Sequence, residues 1–282
     1  MNEGTLYVVA TPIGNLDDLS PRAREVLEAV DLIAAEDTRV TGRLLMHFGI
    51  KTQQTALHDH NEETMAGKLI DELQAGRSIA LVSDAGTPLI SDPGFRLLRE
   101  AHQAGIIVSP VPGASALIAA ISASGLPTDR FVFEGFLPAK KAARQKRLQT
   151  LARETRTTIF YESVHRICDA IDDLVDTFGP ARNAFLGREL TKLYEQCVSG
   201  DLQQIAGMLA DGRIPLKGEF VVAIEGAPES SGDEAAASAD QLLQALADVL
   251  PGKQAVAITA EVSGQNKNEL YRRMLAFKSG EK

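Results

Sequence analysis

Short apolar runs and stretches of helical period alternate along the first 125 residues, and this alternation restricts the fold more than any other feature. LYVVATPI (6–13), DLIAA (31–35), QTALH (54–58), SIALVS (78–83) and IIVSPV (106–111) read as strands. The first and fourth are continuous enough to be buried on both faces, as strands of a parallel sheet are. Helix signals fall between the runs. Ser20-Pro21 is an N-cap with proline at the first helical position, followed by an apolar stripe of Ala23, Val26, Leu27 and Val30. Asp92-Pro93 repeats that start signal before Phe95, Leu98 and Ala101, and Gly105 closes the helix. A series of βαβ units predicts an α/β domain with a parallel sheet and helices on its faces.

From Gly125 the pattern changes. FVFEGFL, TTIFYE, NAFLGREL and GEFVVAIEG read as strands with longer connections, and helices are expected over about 164–178 and 202–209 and along the basic stretch after PAKK. Their sum is a second α/β domain with a mixed sheet. PESSGDEAAASADQ (228–241) is poor in large apolar groups and reads as a flexible linker. Two or three helical stretches follow with few large side chains, a small, flexible helical extension with little capacity to fold strongly alone. The expected division is 1–124, 125–227, a linker over 228–241, and a helical unit over 242–282.

With 282 residues, 44% of them apolar, the chain is long enough for two such domains. No apolar run approaches the ~18 residues of a membrane span. The start, MNEGTLYVVATPIG, lacks the basic residues and long apolar core of a signal peptide, so no membrane contact and a cytoplasmic location are expected. Cys168 and Cys197 form no CxxC, and histidines do not cluster, which encodes neither a disulfide framework nor a metal site. Both cysteines are expected to fill core space. A net charge of −9 argues against general polyanion binding, yet residues 138–166 hold eight Lys/Arg against Glu154 and Glu162, and the residues from Pro251 onward hold six against three. Two basic islands suffice for local contact with phosphate.

Four loops at expected strand ends are chemically loaded: ATPIGN (10–15), AEDTR (35–39), SDAGTP (83–88) and PVPGASA (110–116). Ligands of open parallel sheets sit outside the carboxyl ends of the strands. Gly14, Gly86 and Gly113 permit close backbone approach or positive φ, while Pro12, Pro88 and Pro112 stiffen the turns. Neither G-x-G-x-x-G nor a Walker loop is present, so these loops announce a small-molecule site of another kind.

TPIGNLDDLSPRA, AAEDTRVTGRLL, LVSDAGTPLISDPG, PVPGASA, FYESVHR, GRELTKLYE and GEFVVAIEG occur in the order and spacing of the tetrapyrrole methylase superfamily. Over residues 6 to about 226 the chain resembles, within it, the bacterial branch that methylates small-subunit ribosomal RNA. The resemblance implies a two-domain α/β enzyme, usually a homodimer, that binds S-adenosylmethionine between its domains. It further implies methylation of a cytidine 2'-hydroxyl in the decoding region of 16S ribosomal RNA within the small subunit. By analogy Pro12, Ile13 and Gly14, then Asp84, Gly86, Thr87 and Ile90, Ser115 and Ala116, and Leu186 of the second domain hold the cofactor. Gly86-Thr87-Pro88 stands where the family has Gly-Asp-Pro, which leaves Asp84 as the nearby charge.

A ribose hydroxyl is a poor nucleophile until its proton is accepted. Glu36, Asp37 and Arg39 of AEDTR, Glu162 and His165 of YESVHR, and Glu189, Lys192 and Glu195 of RELTKLYE are the available groups. Asp37 or Glu189 is expected as proton acceptor, with Arg39 and Arg166 orienting phosphate. Lys140, Lys141, Arg144, Lys146 and Arg147 are expected along an RNA-binding helix. Two other readings stay open: a methylase of a tetrapyrrole or another small molecule, and a non-enzymatic ribosome-assembly factor.

Overall fold

A computed structural model describes residues 4–228 and 232–279, side chains of 232–238 and 278–279 excepted. It divides into two compact units, Met1–Ala227 and Pro228–Lys282.

The first unit holds two five-stranded sheets. The first sheet is built from β1 (Thr5–Val9), β2 (Leu32–Ala35), β3 (Gln54–Ala56), β4 (Ile79–Val82) and β5 (Ile107–Val111). Its order is β3-β2-β4-β1-β5 with every pair parallel. β2 and β4 are buried along their whole length, which accounts for their uninterrupted apolar sequence. Helices α1 (Pro21–Ala29), α2 (Thr38–Phe48), α3 (Glu62–Gln74) and α4 (Phe95–Gln103) connect the strands. The Ser20 hydroxyl caps α1 as expected, accepting from the Ala23 amide.

The start of α4 differs from expectation. Its N-cap is Gly94, at φ 120°, rather than Asp92. A Cβ at Gly94 would lie 2.8 Å from the Leu81 side chain, so the glycine lets the chain turn close against β4. On α4 Leu97 and Ala101 are buried and Leu98 packs partly buried, while Phe95, expected on the inner stripe, is 69% exposed.

The second sheet contains β6 (Phe131–Phe136), β7 (Thr157–Ser163), β8 (Asn183–Arg188), β9 (Gln196–Asp201) and β10 (Glu219–Ile224), in the order β6-β7-β10-β8-β9. β6 and β7 are parallel and the remaining pairs antiparallel, a mixed sheet. Sequence reading misses β9. As an edge strand it is polar and nowhere fully buried, so it carries no apolar run. Cys197 lies on it and is exposed, contrary to its expected place in the core, whereas Cys168 is half-buried. α6 (Lys141–Leu151), α7 (Ile167–Phe178) and α8 (Leu202–Ala210) cover one face. α5 (Ala116–Ser124) lies between the sheets, packing Leu117, Ala120 and Ile121 with Ile13 of the first half and Ile159, Phe185 and Val221 of the second.

The second unit consists of α9 (Gly232–Ala247), α10 (Gly252–Ser263) and α11 (Lys267–Ser279). Most of the segment expected as a linker, from residue 232 onward, is helix; residues 229–231 lie outside the described set. The alanines that make the stretch poor in large side chains are also the best helix formers. Ala239, Leu243, Ala255, Val256, Ala260, Leu270 and Met274 form a core internal to this unit. Among the described residues no helix is long and apolar enough to cross a membrane.

Candidate active site

The order of the first sheet sends the connection from β1 one way, to β2, and the connection from β4 the other way, to β5, although β1 and β4 are neighbours. A crevice opens where such connections diverge. At that edge the loops after β1 and β4 are joined: the Thr11 amide donates to the Gly86 carbonyl (2.9 Å) and the Gly86 amide to the Thr11 carbonyl (3.0 Å). The loops after β2 and β4 are joined as well, through the Asp84 amide on Glu36 Oε2 (3.2 Å) and the Asp37 amide on Asp84 Oδ1 (3.0 Å). Thr87 Oγ1 donates to the Ala114 carbonyl, bringing in the loop after β5 (3.1 Å).

The resulting cleft has a volume of about 410 Å³, in the range of small-molecule sites. Ile13, Asp84, Gly86, Thr87, Ile90, Ser115 and Ala116 line it, as expected from sequence. Phe136, Tyr161, Ser163, Gly187, Leu190, Lys192 and Val221 form the wall from the second sheet. Tyr161 is fixed there by the Leu117 amide, which donates to its hydroxyl (3.1 Å), and by edge contacts with the Phe133 and Phe136 rings. Gly86 has φ 84°, and a Cβ would come within 3.2 Å of Ile13 Cγ2, so the turn favours glycine and leaves main chain facing the cleft.

Three expected cofactor residues lie elsewhere. Pro12 is buried behind the lining. Gly14 packs under the loop after β8 instead of facing the cavity; a Cβ there would sit 2.3 Å from Lys192 Cγ. Leu186 turns its side chain away, into the core shared with α7 and α8, because alternate residues of β8 face opposite ways. Gly187 takes the cleft position.

Neither expected proton acceptor lines the cavity. Asp37 caps α2 through the Arg39 amide and chelates the Arg39 guanidinium, whose bonds hold its carboxyl low, at about 2. Arg39 is thereby committed to Asp37 and projects into solvent. Glu189 accepts from Lys192 Nζ (2.8 Å) and from the Glu219 amide (3.1 Å). Burial pushes the Glu189 carboxyl up, but these donors outweigh it and the net shift is downward. Glu189 thus positions Lys192, which Glu219 also holds (2.9 Å) at the cavity wall. Burial disfavours the Lys192 ammonium, yet its two carboxylates prevail and keep it charged.

The strongest titratable candidate is one that sequence reading takes only as a helix start. Asp92 lines the cleft with a carboxyl raised to about 6, first by burial and then by the charge of Glu36, against the hydrogen bond from Ser83. Burial raises Glu36 and Asp84 as well. Five carboxyl groups line the cavity, those of Glu36, Asp84, Asp92, Glu162 and Glu219, the last two paired with Arg166 and Lys192. With exposed main chain and the apolar side chains of Ile13, Ile90, Leu190 and Val221, this lining fits a cationic ligand with an apolar body. S-adenosylmethionine has that chemistry in its sulfonium, its ammonium and its adenine ring.

The basic stretch is only partly a surface. Arg144 is buried and paired with Asp173 (2.7 Å), Arg147 pairs with Glu134 (2.5 Å), and Arg166 pairs with Glu162 (2.7 Å) while donating to the Leu137 carbonyl. These three arginines serve the fold of the second sheet, and Lys140, Lys141 and Lys146 are left exposed.

Sheet order, crevice and carboxylate-lined cavity define an α/β enzyme that binds a small cationic molecule at the edge of its parallel sheet. The chain belongs to the tetrapyrrole (corrin/porphyrin) methylases, whose family pattern it matches over residues 5–206. Residues 233–278 match the RsmI C-terminal HTH domain. It is 52% identical over 276 residues to the ribosomal RNA small subunit methyltransferase I of Pseudomonas aeruginosa, covering 98% of each chain. To the protein of the same name from Escherichia coli O157:H7 it is 50% identical, over 96% of this chain and 94% of that one. In fold it is similar to diphthine synthase (TM-score 0.59, 15% identity, 79% and 90% of the two chains). It is also similar to uroporphyrin-III C-methyltransferase from Thermus thermophilus complexed with S-adenosyl homocysteine (TM-score 0.53, 19% identity, 78% and 97%).

Proposed function

We propose that this chain methylates the 2'-hydroxyl of a cytidine in the decoding region of 16S ribosomal RNA, using S-adenosylmethionine held in the cleft. The observation that carries the reading is the agreement of about half of all residues, along nearly the whole chain, with ribosomal RNA small subunit methyltransferases I. A tetrapyrrole methylase would share the first unit but leave the C-terminal helices, which match a helix-turn-helix domain, without a task.

When bound, S-adenosylmethionine supplies an electrophilic methyl group on a sulfonium centre. The Gly86 turn offers it main-chain groups at short range, Asp84 and Glu36 supply negative charge, and Ile13, Leu190 and Val221 supply apolar wall. Asp92 takes the proton of the ribose hydroxyl as its oxygen becomes the nucleophile. Its raised pKa suits a base working near neutral pH, a role typically contributing ~100-fold to 10,000-fold. The Lys192 ammonium, fixed by Glu189 and Glu219, faces the same cavity and favours the negative charge that develops on that oxygen. Lys140, Lys141 and Lys146 contact phosphates outside the cleft. A homodimer acting on the small subunit in the cytoplasm belongs to the same proposal, on the resemblance to that branch.

Transfer of labelled methyl from S-adenosylmethionine to purified small subunits lacking the modification tests the reading, with uroporphyrinogen as a parallel acceptor. Label in the RNA supports it. Label in the tetrapyrrole, or in neither, refutes it.

A further inference from the structure

Between β8 and β9 the segment Glu189–Glu195 holds a costly backbone. Glu189 (φ 50°) and Thr191 (φ 65°) both occupy the left-handed region without being glycine. Such residues are strained and persist where surrounding bonds dictate them. Those bonds are present. The Thr191 amide donates to Glu195 Oε2 (2.6 Å), Thr191 Oγ1 accepts from the Asn15 amide (3.1 Å), and Lys192 is clamped by two carboxylates. The guanidinium of Arg188, itself nearly buried, donates to the carbonyls of Tyr194 (2.9 Å) and Lys217 (2.7 Å) and so ties the tip to the chain before β10.

This rigid segment places its two largest apolar side chains in solvent. Leu193 is 88% exposed and Tyr194 is 69% exposed, immediately after Lys192 of the cleft wall. Leu216 and Lys217, reached through the Arg188 bridge, are exposed beside them. None of the bonds that order the loop involves the Leu193 or Tyr194 side chain. An aromatic ring, presented on a stiff support next to a reaction cleft and flanked by a lysine, matches what an unpaired nucleotide needs: a flat apolar face for the base and a cation for the phosphate.

We propose that Tyr194, with Leu193 beside it, is the stacking platform for an unpaired base adjoining the nucleotide that enters the cleft. The platform rests on the ribosomal RNA reading above and deepens it by naming the surface that grips the strand. A second copy of the chain is the competing occupant of such an apolar tip; the flanking lysine and the position at the cleft mouth favour the nucleic acid.

The test compares full-length wild type, Tyr194→Ala and Tyr194→Phe in steady-state methyl transfer to purified small subunits, with S-adenosylmethionine varied separately and the mass of each protein measured by light scattering. Loss of one base–ring stack weakens binding roughly ten- to a hundredfold. Tyr194→Ala is therefore expected to raise KM for subunits by about that factor. Its kcat, its KM for S-adenosylmethionine and its mass should stay at wild-type values, and Tyr194→Phe, which keeps the ring, should behave as wild type. Wild-type kinetics for Tyr194→Ala would overturn the platform, as would a Phe variant as weak as the Ala variant. A change of mass in Tyr194→Ala would give the tip to a second copy instead. A wild-type chain inert toward subunits would overturn the ribosomal reading itself, an outcome distinct from any difference among the variants.

Discussion

Thr11 and Gly86, 75 residues apart, exchange both of their main-chain hydrogen bonds and thereby lock the ends of β1 and β4 into one cleft edge. The left-handed backbone of Gly86 is part of that lock, since its φ of 84° directs the following residues across the cavity mouth. Gly86→Val should reduce S-adenosylmethionine affinity by at least about tenfold, because a branched side chain is strained at positive φ and presses on Ile13. Calorimetric titration of variant and wild type checks this, with circular dichroism to confirm the fold. Affinity within a factor of about two of wild type would place the cofactor away from this turn.

Asp92 makes the site dependent on pH. Its folded-state pKa of about 6 lies above the ordinary carboxyl value, so the folded chain binds more protons than the unfolded chain between those two values. Stability contributed by the protonated carboxyl is present at low pH and lost as pH rises through 6, while competence as a base appears over the same interval. Asp92→Asn should therefore be more stable than wild type at pH 8, with the advantage gone near pH 4, and kcat should fall ~100-fold or more. The acidic limb in kcat/KM near 6 should vanish with it. A limb that survives the substitution would assign the proton to another group.

The buried pair of Arg144 and Asp173 is a stability element. Their side chains are 3% and 2% exposed, and Gln145 Nε2 adds a second bond to Asp173 (2.9 Å). Asp173→Ala would leave the guanidinium buried without its partner and should cost about 3–5 kcal/mol in urea unfolding. Replacing both residues, Arg144→Met with Asp173→Leu, should recover most of that loss, because the desolvation of both charges disappears together.

How far the sequence reports the structure depends on where each residue's energy lies. Buried strands such as β2 and β4 are legible because their apolar runs are the cause of their burial. The glycine and proline turns at the cleft are legible because main-chain geometry demands those residue types, as at Gly86. β9 and the helix α9 escape because an edge strand needs no apolar run and an alanine-rich helix has few large side chains. Charged residues are the least legible. Arg144 and Lys146, two residues apart on α6, are a buried strut and an exposed surface cation, since a helix turns about 100° per residue and the partner that decides the matter, Asp173, lies on α7. Asp92 is obscured in the same way: its local context spells a helix cap, and only its burial in the folded cleft, with Glu36 and Asp84 brought near it, raises its pKa.

Lys140, Lys141 and Lys146 are exposed on and beside α6, whereas Arg144 is buried and Arg147, though exposed, is paired with Glu134. Changing all three to glutamine should weaken binding to small subunits and reduce the slope of log affinity against log salt by roughly 0.7 to 0.9 for each phosphate no longer neutralised. Cofactor affinity should not change. Filter binding over a salt series checks this, and an unaltered slope would make the three lysines ordinary surface.

The most direct measurement is the nucleoside composition of small-subunit RNA after incubation with the full-length protein and S-adenosylmethionine, resolved by mass spectrometry into base and ribose fragments. One added methyl is expected on the ribose fragment of a cytidine from the decoding region, present with wild type and nearly absent with Asp92→Asn. A methyl on a base fragment, on another nucleoside, or equally abundant with Asp92→Asn would contradict it.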